Sequence, residues 1–211
     1  MANSETNICN LALSLSGNNR ILSLTAESEE ANVCELLYAP TRDEVLAHSG
    51  VNWNIAKARA ELTETTEPDF GWDHAFTLPS DLLRVIAQVT DSRDRRLIPW
   101  QREGNTILTN DEDCYILYIK MVTDPVQFPP ILYEAIYTKL AAKLATRLSK
   151  NPQRAQELMA LYVGDVLPRA RRANNEESYV TDEMGNDDWI TEGRGTLIEQ
   201  GEVLPGWAVS T

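Results

Sequence analysis

The stretch 124–150, DPVQFPPILYEAIYTKLAAKLATRLSK, restricts the possible folds more than any other part of the chain. Pro129 and Pro130 suit the start of a helix, where the missing N–H costs nothing and φ is already set. Leu132, Ile136, Leu140, Leu144 and Leu148 then recur every four residues, with Tyr133, Tyr137, Ala141 and Ala145 in a parallel row. Each step of four advances about 40° around a helix axis, so the two rows form one wide apolar face. Lys139, Lys143 and Arg147 make a third row, expected to lie away from much of that face. Burying each large aliphatic side chain is worth roughly 1.5–3 kcal/mol, so this helix can organise a core. It carries no chemistry of its own.

The helices before it carry their own punctuation. Ser4 can cap a helix holding Ile8, Leu11, Ala12 and Leu15, and Gly17-Asn18-Asn19 ends it. A second helix starts at Ser28, with Glu29 and Glu30 at the positive end of its dipole. Its apolar face is Ala31, Cys34, Leu37, Tyr38, Val45 and Leu46. Pro40 falls inside that pattern, which predicts a kink or a break there.

Past Gly50 the period changes from helical to alternating. Ala56, Ala58, Ala60 and Leu62 alternate with Lys57, Arg59 and Glu61, as in a half-buried strand. Trp72, Phe76 and Leu78 predict a second strand ending at Pro79. Ser80-Asp81 predicts a short helical turn, and Val85, Ala87 and Val89 another strand. Stretches 97–102 and 106–109, joined through Glu103-Gly104-Asn105, read as a hairpin, with Pro99 placing its first strand at an edge. Stretch 114–122 is nearly all apolar, as expected of a central strand buried on both faces. After the long helix, Asn151-Pro152 opens another, bearing Ala155, Leu158, Tyr162 and Val166, which should fold back antiparallel. Pro168 is expected to bend or end it before Arg169, Arg171 and Arg172.

The expected fold is therefore α+β. An antiparallel helical bundle (1–50 and 124–173) holds an inserted small antiparallel β domain (51–123), followed by an extended acidic arm (174–211). Polar residues and glycines dominate that arm, which cannot close a core of its own. Its scattered Tyr179, Trp189, Ile190, Leu197, Ile198, Leu204 and Trp207 are the candidate docking residues.

Charge supports this division. The chain carries a formal −13, unlike a generic nucleic-acid binder, which needs basic surface to displace counterions. The arm contributes −8, stretch 128–173 contributes +5, and 1–127 the remaining −10. Lys139, Lys143, Arg147, Arg169, Arg171 and Arg172 are the candidate basic residues of an assembly interface.

Nothing points to a catalytic centre, a cofactor or a metal. His48 and His74 lack partners at metal-ligand spacing, and no nucleophile elbow, Walker loop or dinucleotide fingerprint occurs. Asp182 to Asp188 lacks the alternating ligands of a calcium loop. The three cysteines, Cys9, Cys34 and Cys114, show no C-x-x-C spacing and read as buried reduced thiols of a protein folded in a cytoplasm. No leader-like or membrane-spanning run is apparent.

Several segments, in this order, resemble the tail tubular protein A or head–tail adaptor family of short-tailed bacteriophages. They begin with the helix bearing Ala31, Cys34, Tyr38, Arg42 and Leu46, then Trp53-Asn54-x-Ala56 with Arg59. Next comes Trp72-x-x-Ala75-Phe76-x-Leu78-Pro79-x-Asp81-x-Leu83-Arg84, followed by Trp100 and Ile107-x-Thr109. Asp124-Pro125 with Phe128-x-Pro130 leads into the long helix, and Arg169-Ala170-Arg171-Arg172-Ala173-Asn174 closes the match. The resemblance covers about 28–175 and fades beyond Tyr179.

It implies a non-enzymatic virion protein in a ring, commonly dodecameric, between a portal protein and a tail-nozzle protein. DNA passes through the centre without specific binding, and no membrane is involved. An acidic lumen would let phosphates slide. The implied localisation is the virion neck, after assembly in the host cytoplasm. Two rival readings remain open from the residues alone. One is an adaptor or free protein that hydrolyses glycans with a carboxylate pair, the other a soluble monomeric binding module.

Overall fold

In a computed structural model, residues 4–89 and 98–177 are described, and all belong to one compact unit, Met1–Glu177. The fold is α+β, with five α-helices and two antiparallel sheets among these residues. Of the predicted arm, 174–211, residues 178–211 lie outside them.

Helix α1 (Glu5–Ser16) is capped by Ser4, whose Oγ accepts the Asn7 N–H, and closed by Gly17 in the left-handed region at φ 80°. The Asn18 N–H then reaches back to the Leu13 carbonyl at 2.9 Å, so carbonyls orphaned at the helix end are satisfied. Leu13, not Leu11, belongs to the buried face; Leu11 is exposed. Helix α2 (Glu29–Leu46) is capped by Ser28 and runs through Pro40 as one helix. Of the kink or break expected there, the break does not occur: the proline ring is on the exposed side, while Tyr38, Thr41 and Arg42 are held in the interior. Helix α3 (Pro130–Arg147) packs against α1, α2, α4 (Pro152–Leu161) and α5 (Leu167–Glu176). Its Leu132, Ile136, Leu140 and Leu144 are fully buried, as are Ala135, Ala141 and Ala145.

Asn151 caps α4 by accepting the Arg154 N–H at 3.0 Å. Between α4 and α5 lies a single π turn, Tyr162–Val166. Of the bend or end expected at Pro168, the end does not occur: the path continues into α5. The Leu167 N–H turns back five residues to the Tyr162 carbonyl. This wider turn, just ahead of the proline, lets the helical path continue.

The β region is a pair of sheets. Strands β1 (Lys57–Glu61), β7 (Tyr115–Lys120) and β4 (Leu82–Val89) form a three-stranded sheet with β7 in the centre. Strands β2 (Thr63–Glu64), β3 (His74–Thr77), β6 (Thr106–Thr109) and β5 (Gln101–Glu103) form the other. A 3-10 turn, Asn54–Ala56, precedes β1. The hairpin β5–β6 turns at Gly104, whose φ of 57° suits glycine, and β5 is an edge strand as Pro99 implies. Ser80-Asp81 forms a plain turn and not a helical one.

The three-stranded sheet separates two cores. Ile119 packs in the helical core with α3, while Cys114, Ile116 and Tyr118 face a smaller core with Phe76, Leu78 and Ile107. Strand β4 contributes to both: Leu82 and Val85 face the small core, Leu83 and Ile86 the helices. Simple alternation would not give that spacing. Two register shifts, between Leu82 and Arg84 and between Val85 and Ala87, supply it. The strand predicted from Val85, Ala87 and Val89 is present as β4.

Candidate assembly surface

The basic residues singled out from the sequence divide into three groups. Lys139 is not on a surface: its side chain is 7% exposed. Its Nζ lies 2.8 Å from Glu44 Oε1 on α2 and 5.1 Å from the centre of the Tyr162 ring. Lys143 meets the other oxygen of the same carboxylate at 2.6 Å. Glu44 therefore clips α2 to α3, and two of the three row residues serve the body itself. Arg147, at the end of the row, is exposed.

Burial alone would push the Glu44 carboxyl up, but the two lysines outweigh it and hold the carboxyl below its ordinary range. Next to this clip, His48 is shifted the other way from a charged role. Burial, with Lys139, Arg171 and Arg84 nearby, lowers its pKa. Its Nδ1 accepts the Gly50 N–H at 3.0 Å, which requires an unprotonated nitrogen there.

Arg169, Arg171 and Arg172 also part company. Arg169 grips both oxygens of Glu134 on α3, at 2.6 and 3.2 Å, and meets Asp165 at 2.9 Å. These carboxylates hold its guanidinium still more firmly protonated. Arg171 donates from Nε to the Gly50 carbonyl at 2.8 Å, tying α5 to the end of the α2 segment. Arg172 is exposed.

Sequence reasoning missed the joint beside them. Asn174 opens the predicted arm, yet it is buried. Its Oδ1 accepts the Asn54 N–H at 2.7 Å, its carbonyl accepts from Asn54 Nδ2 at 2.6 Å, and its Nδ2 donates to the Asn52 carbonyl at 2.7 Å. Trp53, between those asparagines, is buried and donates to the Val45 carbonyl at 3.0 Å. Arg84 reaches from β4 to the Ala47 carbonyl at 3.0 Å and to Asn52. The α2 end, the lead into β1, β4 and the end of α5 are thus cross-braced by polar side chains. The one available signal was the Trp53-Asn54 pair, whose polar partner sits 120 residues away.

One feature of this surface is open. Leu36 stands 67% exposed on α2, beside Lys143, Arg147 and Lys150 of the α3 end. The helix-face pattern leaves Leu36 off the buried stripe, and that was the available sign. The candidate docking residues Tyr179, Trp189, Ile190, Leu197, Ile198, Leu204 and Trp207 lie outside the described residues.

Among the described residues no group of three His, Cys, Asp or Glu could hold a metal ion, and no helix is long and apolar enough to cross a membrane. Cys9, Cys34 and Cys114 are buried free thiols. No protein-family model matches the chain, and no curated protein matches it.

Proposed function

We propose that the chain is a structural head-to-tail adaptor of a short-tailed bacteriophage virion. It assembles as a ring between the portal and the tail nozzle, with DNA passing through the lumen and no enzymatic step. The observation that carries this reading is the ordered series of segments from Ala31 to Asn174 that resembles the adaptor family. Many of those residues occupy the joints and the cores of the body. Trp53, Asn54, Arg84 and Asn174 brace helices to sheet, while Phe76, Leu78 and Ile107 fill the small core. A pattern that specifies such joints is a pattern for a shape, which suits a part whose work is to fit between two others.

The body also offers what a scaffold needs. The β region is fixed to the helices through a sheet covered on both faces, and a body so braced can bear load without reshaping. The acidic balance of 1–127 accords with a lumen that does not hold phosphates.

Light-scattering mass with and without the cognate portal protein tests the reading. The expected result is a monomer or weak associate alone, and a ring when the portal is present. A chain that stays monomeric beside its portal, well above micromolar concentration, would sink the proposal.

A further inference from the structure

Two of the three cysteines face each other across the first pair of helices. Cys9 on α1 and Cys34 on α2 are both completely buried in the helical core, and their side chains are hydrogen-bonded to one another. Cys9 is the donor, and that bond, together with burial, keeps its own thiol firmly protonated. The same bond favours the thiolate at Cys34 and outweighs burial, which opposes it. Small side chains flank the pair. Ala12 lies one turn after Cys9 and Ala31 one turn before Cys34, and both are completely buried. Cys114 stands apart in the small core, its thiol pushed up to about 12 by burial and by Asp111.

A buried cysteine commonly serves as a small apolar filler, but a filler needs no second cysteine opposite it. Two thiols in direct contact, carried by different helices, are what a disulfide between those helices requires. Only side-chain rotation separates a sulfur–sulfur hydrogen bond from a bond of about 2 Å. We propose that Cys9 and Cys34 are a two-cysteine redox site that takes a hydroperoxide as oxidant and closes to a disulfide, fastening α1 to α2. The site stands whether or not the chain is an adaptor.

Cys34 is the attacking group. Its sulfur bonds to one peroxide oxygen, the O–O bond breaks, and the thiol proton leaves with the released hydroxide as water. The product is a sulfenic acid at Cys34. The Cys9 sulfur then attacks the Cys34 sulfur. The S–S bond forms, the S–O bond breaks, and the Cys9 proton leaves with that hydroxide as a second water. The pair of sulfurs loses two electrons in all, and the peroxide gains them. Burial selects the oxidant. Hydrogen peroxide is close to water in size and can enter through brief openings of the helix pair, whereas a bulky disulfide such as oxidised glutathione is kept out.

The test treats the full chain with hydrogen peroxide and then unfolds it in an alkylating reagent. Protein running as a single chain in a non-reducing gel is digested with trypsin, which separates the two cysteines at Arg20, and mapped by mass spectrometry. The expected product joins the Cys9 and Cys34 peptides, while Cys114 is recovered alkylated. Oxidation should raise the melting temperature by about 5–10 °C, and dithiothreitol should reverse the rise. Cys9→Ala protein, its fold checked by circular dichroism, should accumulate sulfenic acid at Cys34, read as a dimedone adduct. Cys34→Ala protein should give about tenfold less adduct at Cys9. Cys9 and Cys34 recovered without a bridge, as thiols or as sulfinic acids, would overturn the proposal. So would a bridge to Cys114 or between chains, a mapped bridge with no rise in melting temperature, or an adduct that favours Cys9. Where an alanine variant does not fold, the map and the melt of the unsubstituted chain decide.

Discussion

The two cores on either face of the three-stranded sheet are built on different principles. The helical core closes around α3, which four other helices touch, so α3 is buried around most of its circumference. Even Lys139 of its basic row is drawn in, and it must bring a counter-charge, Glu44, from the neighbouring helix. The small core is a thin filling between two sheets, with Ala58, Ala60 and Trp100 at its margins. A central helix tolerates little loss of volume because its neighbours are braced against one another. A margin of short strands can sink inward.

The largest expected effect follows directly. Leu140→Ala should cost about 4 kcal/mol in urea unfolding, and Ile107→Ala about 2 kcal/mol, the difference reflecting how far each site can collapse. Both should unfold in one transition, since helices and sheets form one compact unit. Equal losses, or an early separate transition in the Ile107 variant, would break the comparison.

The joint between the regions should respond next. Asn174→Ala removes bonds to Asn54 and Asn52 and leaves buried backbone groups unpaired, at about 2 kcal/mol. Accordingly, a chain ending after Glu177 should melt like the full one, and a chain ending at Ala173 should melt earlier. If the two truncations melt together, the brace contributes nothing.

The smallest effect belongs to the charge clip. Glu44→Gln should cost only about 1 kcal/mol at neutral pH, because the carboxylate is half exposed although Lys139 is not. Its pH dependence is more informative. The Glu44 pKa is depressed in the fold, so its contribution is complete above the ordinary value of 4.5 and is lost as pH falls through the lower folded value. The His48 pKa is also depressed, so the unfolded chain binds a proton first and stability starts to fall below 6.5. Stability profiles should show two successive acid losses, and Glu44→Gln should abolish only the lower one. Loss of the upper step in that variant would show that His48 and Glu44 titrate as one unit.

Much of this architecture can be read from local chemistry. Ser4, Ser28 and Asn151 act where their side chains can take an orphan N–H, and Gly17 and Gly104 sit where φ must be positive. The Leu132–Leu144 row marks the core because period four survives any packing partner. What escaped depends on partners distant in sequence. Lys139 looked solvated because a helical wheel shows one face and not how many helices surround it. Asn174 looked like the start of an arm because its three bonds reach back to residues 52 and 54. Whether Pro40 and Pro168 would interrupt their helices or only bend them stayed open because the tolerance of a proline is decided by the turn before it and by what faces the ring. Of the candidate assembly surface, the charge row was legible, whereas its division into internal clip and exposed rim was not.

The bulges in β4 bear on solubility. Among the described residues β4 is an outer strand of the three-stranded sheet. A straight strand in that position is a template on which another chain can add its own backbone, copy after copy, without limit. The two register shifts between Leu82 and Ala87 break the regular spacing of donors and acceptors that such growth requires. Irregularity along this strand therefore discourages open-ended stacking of one copy on the next.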